Sequence, residues 1–332
     1  MGTTRYITSI GELSRKDHSL CFRKDGKNVY IPIENTKEIY CLSEISINTK
    51  LLDFLAKNNI VIHFFNYYDG YSGTFYPREH YSSGRILVKQ VESYQTKRMM
   101  IAKAFVEGIA ENIHEVLYHY YKHDKKETKE TIDWLRKDMK VGVENAQGIK
   151  QLLQVEGELW QRFYGELKHI LPEDFMMSKR VKRPPDNPIN ALISFGNTLL
   201  YGKTITAIYN THLDQRVSYL HELAERRFSL SLDISEAFKP IIVFKTIFDL
   251  VNNRRLQVDK HFEKKYNYCL LNEEGRDIFI RAFEARMDTV FIHEKLNRKV
   301  TFRTAIKLDC YKLIKCILED QLFKPFSLKE KC

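Results

Sequence analysis

Three ionisable side chains stand where a buried face would be apolar. Glu156 lies in "LLQVEGELWQRFYGEL", residues 152–167. Read as a helix, its neighbours three, four, seven and eight positions away are Leu152, Leu153, Leu159, Trp160, Phe163 and Tyr164. The carboxylate therefore falls mid-stripe, on the face that packs inward. A buried charge is costly unless it is paired or holds a metal. A basic partner from another helix, a rotation that brings Glu156 to an edge, or a ligand role would each explain it. His221 follows Val217 and Leu220 and precedes Ala224 and Phe228, so it sits on or beside an apolar face and, alone, reads as a core histidine. "SLSLDISEAFKP" adds Asp233 and Glu236 at i, i+3 spacing on one helix face, with Ser231 or Asp233 as the expected cap. Pro240, four residues past Glu236, removes that carbonyl's usual partner and predicts a short or bent helix that aims its first-turn side chains into a cleft.

Two carboxylates and an imidazole suit a hard-to-intermediate divalent ion, Mg²⁺ or Mn²⁺. None of the six cysteines forms a C-x-x-C pair, which argues against structural zinc and for reduced, buried thiols. The net charge of +10 and pI near 9.1 point to a polyanionic partner. A metal in a basic protein suits phosphodiester chemistry, because it can stabilise phosphoryl oxygens and lower the pKa of an attacking hydroxyl or water. Lys179, Arg180, Lys182 and Arg183 crowd into "MMSKRVKRPPDNP", read either as an exposed connector or as a phosphate-contacting loop. Arg226, Arg227, Arg254 and Arg255 are further candidate phosphate contacts. No GxxxxGK[ST] loop is present, so nucleotide-driven chemistry is not expected. There is no apolar run of the ~18 residues a membrane span needs and no signal-peptide block, so a cytoplasmic protein without a membrane partner is expected.

The elements that must position these groups change character along the chain. "SLCFRK", "KNVYIPI", "KEIYCL" and "VIHFFN" read as short strands, and "NTKLLDFLAKNN" as one helix opening at Asn48 or Thr49. Asp69-Gly70 and Ser72-Gly73 are turn signals. From Arg85 to His123 apolar residues recur at helical spacing, predicting a long amphipathic helix. Further helices are predicted near 127–140, 145–170, 188–210, 213–227, 233–252, 273–290 and 301–319. The expected fold is α+β: a small β-rich N-terminal domain over 1–83, then a large all-α domain over 84–332.

Several of these stretches resemble the CRISPR-associated adaptation integrases, the "Cas-one" family, in the branch found with type I-B systems. "VEGELWQRFYGEL" resembles the family's Glu-Gly-x5-Tyr/Phe signature, and "NPINALISFGNTLLYG" its Asn-rich helix. "HLDQRVSYLHELAERRFSLSLDISEAFKPII" is similar to its His-containing and acidic segment. Many relatives read Gly-Leu-Asp-Pro-x-x-Gly where this chain reads His212-Leu213-Asp214-Gln215-Arg216-Val217-Ser218. "GELSRKDHSLCF", "IPIENTKEIYCLSEISINTKLLDFLAKNNIVIHFFN" and "GYSGTFYPRE" match in the N-terminal part. "LNEEGRDIFIRAFEARM" and "LNRKVTFRTAIKLDCYKLIKCIL" match in the C-terminal helices, so the likeness runs along essentially the whole chain. The resemblance implies a metal-dependent DNA endonuclease and integrase that inserts short double-stranded fragments into CRISPR repeat DNA as defence against foreign DNA. It implies that the all-α domain is catalytic, with Mg²⁺ or Mn²⁺ held by Glu156, His221 and Glu236, and with Asp233 as the alternative third ligand. It also implies a homodimer formed through the N-terminal domain and a small adaptation partner, "Cas-two". A non-catalytic DNA scaffold and a plain metal-dependent nuclease are the rival readings.

Overall fold

The computed structural model describes residues 3–77, 81, 83–182, 184–223, 228–265, 267–293, 296–319 and 321–328. The N-terminal part holds β1 (Thr3–Ile7), β2 (Gly11–Lys16), β3 (Ser19–Lys24), β4 (Lys27–Pro32), β5 (Thr36–Cys41), β6 (Ile45–Ser46), α1 (Thr49–Lys57), β7 (Val61–Phe65) and β8 (Tyr71–Phe75). One sheet runs β1-β5-β7-β8, parallel except for the last pair, and the other runs β4-β3-β2-β6. Asn48 caps α1 as expected, its side chain accepting from Leu51 N at 3.0 Å. Asp69 sits at φ 58° in the β7–β8 turn, a left-handed position that Asp tolerates.

The first sheet is buried on both faces, and the two-residue period of its strands divides its side chains between two cores. Ile39, Cys41 and Ile62 join Leu13, Leu20, Leu51 and Leu55 in a small N-terminal core. Tyr40, Leu42 and Phe65 turn the other way and join the core of the helical part. This second face is the seat of the helices. One of these helices comes close to it at Gly202, where a Cβ would meet the Tyr40 hydroxyl oxygen at 2.6 Å, so glycine lets helix and sheet pack this tightly.

The helical part comprises α2 (Gly84–Lys122), α3 (Lys129–Arg136), α4 (Asp138–Asn145), α5 (Ile149–Ile170), α6 (Pro188–Tyr209) and α7 (Ser229–Lys239). A π turn (Pro240–Phe244) leads into α8 (Lys245–Asn252) and α9 (Val258–His261). The strands β9 (Phe262–Lys265) and β10 (Tyr268–Leu271), helix α10 (Glu273–Met287), strands β11 (Val290–His293) and β12 (Arg298–Thr301), and α11 (Phe302–Glu319) follow. An N-terminal strand-rich region followed by a mostly helical one is the expected fold class. Helix α6 is buried nearly all round, as an apolar helix without a polar face must be. Asn187 caps it and Pro188 opens it.

Three expectations need correction. The helix expected over 213–227 is absent through 213–223, which runs as turns and bends, while 224–227 lie outside the described residues. There Asp214 Oδ1 accepts from Arg216 N at 2.8 Å, an Asx-type turn that competes with helix. The helix expected from 233 begins at Ser229, so Ser231 and Asp233 lie inside α7 rather than at its cap. The region expected to be all-α carries two short antiparallel hairpins, β9–β10 and β11–β12. The bend expected at Pro240 takes the form of the π turn. No helix among the described residues is long and apolar enough to cross a membrane.

Candidate active site

Aromatic packing joins α5 to the π turn that continues α7. Trp160 and Phe163 of α5 lie against Phe244 of the π turn, with ring centroids 5.9 and 4.8 Å apart. That contact puts Glu156 on α5 into the surroundings of Glu236 on α7. Glu156 is half-buried, and its carboxyl pKa is pushed up to about 7, by burial first and then by the Glu236 charge. Lys239, His221 and a hydrogen bond with Trp160 pull it back. Burial alone would lower the His221 pKa, but Asp233 and then Glu236 raise it above its ordinary value. The three residues singled out in the sequence thus act on one another.

Asp233 has a different task from the ligand role open to it in the sequence. It is fully buried. Its Oδ2 accepts from the backbone N–H groups of Tyr219 at 2.6 Å and Leu220 at 3.0 Å. Its Oδ1 accepts from His221 N at 3.0 Å and pairs with ring Nδ1 at 2.8 Å. Both oxygens are used in shaping the 219–221 loop. Because the carboxylate must accept, Nδ1 of His221 carries the proton and Nε2 is the nitrogen left for a ligand.

Glu236 is buried, and its Oε1 accepts from the Lys239 ammonium one turn later. Its Oε2 is buried without a hydrogen-bond partner among the described residues. A buried oxygen in that state calls for an explanation. Glu38 Oε2 and Glu166 Oε2 share it, but Glu236 differs in that its charge raises the pKa of both a second carboxylate, Glu156, and an imidazole, His221. Among the described residues no three His, Cys, Asp or Glu side chains already stand at coordination distance. The positive charge beside Glu236 is instead that of Lys239, whose Nζ lies 5.8 Å from the Trp160 ring centroid. By donor type alone, two carboxylates and an imidazole with its tautomer set are what Mg²⁺ or Mn²⁺ takes.

The basic residues divide. Lys179 and Lys182 are exposed. The Lys182 pKa is nonetheless lowered, first by partial desolvation and then by Lys239 and Arg180, with Glu236 and Glu156 opposing, so it borders the site. Arg180 is turned inward: it donates to Asn190 Oδ1 at 3.0 Å and Ser194 Oγ at 2.9 Å, tying the loop to the start of α6. It also hydrogen-bonds Tyr164, whose hydroxyl pKa burial pushes up to about 12. Arg254 and Arg255 are exposed in the turn after α8, and Arg255 pairs with Asp249 at 3.1 Å. Arg183, Arg226 and Arg227 lie outside the described residues. Lys239 and Tyr164 are site residues that sequence reasoning missed. The signal for Lys239 was its i+3 spacing from Glu236, directly before Pro240.

The family model described as "CRISPR associated protein Cas1" matches residues 5–285. "CRISPR-associated endonuclease Cas1 2" of Thermodesulfovibrio yellowstonii is 43% identical over 329 residues, covering 98% of this chain and 99% of the relative. A solved CAS1 protein from Thermotoga maritima superposes with a TM-score of 0.85 at 36% identity, covering 98% of this chain and all of that one. A casposase bound to its integration product shares the fold, with a TM-score of 0.85 at 18% identity over 99% of this chain and 95% of that one.

Proposed function

The chain belongs to the CRISPR associated protein Cas1 family, and on that premise we propose that it is a metal-dependent DNA endonuclease and integrase of CRISPR adaptation. In this reading it works in the cytoplasm as a homodimer with a small Cas2-type partner. It joins short double-stranded fragments to CRISPR repeat DNA. The observation that carries the proposal is the Glu156–His221–Glu236 neighbourhood, with a buried Glu236 oxygen that has no partner among the described residues.

Glu156, Glu236 and Nε2 of His221 would hold Mg²⁺ or Mn²⁺. When bound, the ion supplies charge neutralisation at the phosphoryl oxygens and lowers the pKa of the attacking hydroxyl. The chain's own residues do the rest. Asp233 keeps the proton on Nδ1 and fixes the ring's direction. Lys239, released from Glu236, and exposed Lys182 present positive charge to the DNA backbone; Lys179 extends that surface along the loop. Trp160 and Phe244 wall the site with apolar surface. In the reaction, the 3′-oxygen of the fragment bonds to phosphorus at the repeat edge as the repeat's own 3′-oxygen departs. The attacking hydroxyl's proton passes through solvent to that departing oxygen. One phosphodiester replaces another, so no nucleotide energy source is consumed.

One observation favours the scaffold reading: Lys239 already neutralises Glu236 without a metal. A strand-transfer assay with labelled fragment and repeat DNA, with and without Mn²⁺, separates the readings. Joined product only with Mn²⁺ is the expected outcome. Metal-dependent cleavage without joining would leave a plain nuclease, and metal-indifferent binding without either would leave a scaffold. Asp233→Asn tests the positioning role: it replaces the acceptor beside Nδ1 with an amide and is expected to lower Mn²⁺ affinity by roughly 10–100-fold. Titration calorimetry reads that loss, and wild-type affinity in the variant would remove Asp233 from the site's design.

A further inference from the structure

Residues 321–328 form neither helix nor strand, yet they are not loose on the surface. Phe323 and Phe326 are each only 4% exposed. Phe323 lies against Phe105 of α2, with ring centroids 4.9 Å apart. Phe326 stacks on Phe238 of α7 at 4.9 Å and an interplanar angle of 7°. Between them Pro325 seats on Gly108, where an added Cβ would meet its Cβ at 2.9 Å. A segment without secondary structure must find partners for its buried backbone groups elsewhere. Two buried polar side chains provide them. Asp309 of α11 accepts from Phe326 N at 2.7 Å with one oxygen and from Lys312 at 2.7 Å with the other. Asn112 of α2, fully buried, accepts from Leu328 N at 2.8 Å and donates to Phe326 O at 2.9 Å.

The second donor of Asn112 goes to Ala237 O at 2.7 Å. Ala237 follows Glu236 directly, just where Pro240 and the π turn disturb the helical ladder. One buried amide therefore ties α2, the C-terminal segment and the turn of α7 that carries Glu236. Stacking of Phe326 on Phe238 repeats that tie through apolar contact.

We propose that residues 323–328 are a positioning strap for the candidate metal site: seated on Asn112, Gly108 and Phe238, they hold the α7 turn that aims Glu236. Lifting the strap loosens that turn without unfolding the chain. Asn112 is thus a positioning residue that acts through Glu236 and touches neither DNA nor ion. The proposal rests on the metal reading above, and the test keeps the two apart.

Asn112→Ala removes the tie to Ala237, whereas Gly108→Val crowds Pro325 and leaves Asn112 intact. Leu13→Ala, in the separate N-terminal core, is the control for general destabilisation. Mn²⁺ affinity is measured by calorimetry, and amide exchange is followed across 235–244, at a temperature where every variant is folded. Asn112→Ala and Gly108→Val are each expected to weaken Mn²⁺ binding by about tenfold and to speed exchange in α7 and the π turn, whereas Leu13→Ala changes neither. Unchanged Mn²⁺ affinity in both strap variants overturns the proposal. Should Asn112→Ala fail to fold, Gly108→Val decides alone. If the wild-type chain binds no Mn²⁺, the metal reading falls, and unaltered exchange in the strap variants then overturns the strap as well.

Discussion

Glu236→Gln is expected to lower Mn²⁺-supported strand transfer and cleavage by ~10³-fold while the fold stays intact. The substitution keeps the volume that packs α7, so the buried surroundings of Phe238 and Ala237 are retained. It removes a negative donor whose second oxygen has no partner among the described residues. It also removes the charge that helps raise the Glu156 pKa, so the unfolding midpoint is expected to stay level or rise, as happens when a functional site stops straining its scaffold. Product formation in the joining assay and the calorimetric midpoint read the two effects together. Wild-type joining rates in a folded Glu236→Gln protein would sink the assignment. Loss of activity with a collapsed midpoint would reduce Glu236 to a structural ion pair with Lys239. Glu156→Ala, on α5, is expected to give the same loss, because either change leaves an incomplete donor set.

Glu156 was legible because a carboxylate inside an apolar stripe has few explanations, and helix periodicity alone exposes it. The strands of the first sheet were legible for a related reason: "KEIYCL" and "VIHFFN" are near-continuous apolar runs because both faces are covered. Asp233 was only half legible. Its four donors lie 12–14 residues earlier in a loop whose path no local pattern shows. The same carboxylate explains the missing helix at 213–223. There, tertiary capping of three consecutive N–H groups overrides a local apolar period that would otherwise have supported helix. Lys239 drew no reading from the sequence, although its i+3 spacing from Glu236 places the two on one helix face. The β9–β10 hairpin was hidden because "FEKK" has one apolar residue in four, and its register is set by pairing with "YCLL" rather than by its own composition.

Lys203→Met is expected to destabilise the chain by about 3–5 kcal/mol, the largest stability effect of any single change considered. Lys203 is 4% exposed on α6 and meets Glu38 Oε1 of β5 and Glu284 Oε1 of α10, each at 2.7 Å. Thr4 accepts from the same ammonium, and Arg303 of α11 closes the network on Glu284 at 2.7 Å. These groups lie where the strand region meets the helices, so the loss is felt at the seat of α6. Met fills similar space but takes away the one close ammonium partner of buried Glu38, leaving the Thr4 hydroxyl at 2.7 Å and the more distant Arg303 at 3.8 Å and His63 at 3.9 Å. Burial by itself would push the Glu38 carboxyl up; Lys203, with His63, holds it well below the usual carboxylate range. A depressed folded pKa gives stability that is present above the unfolded value of about 4.3 and fades as pH falls toward the folded one. In Lys203→Met the sign reverses. Burial then raises the Glu38 pKa, the penalty applies at neutral pH, and protonation relieves it on acidification. The gap between wild type and variant is therefore expected to narrow as pH drops below about 5. Adding Glu38→Gln to Lys203→Met should recover roughly 1–3 kcal/mol at pH 7, because a buried charge that has lost its closest partner disappears. Denaturant unfolding of the two single variants and the double variant at pH 7 and pH 4 measures each of these quantities. Strict additivity at pH 7, or a gap that widens in acid, would mean that the ion network does not hold the sheet to α6, and that the apolar contacts of Tyr40 and Phe65 do so alone.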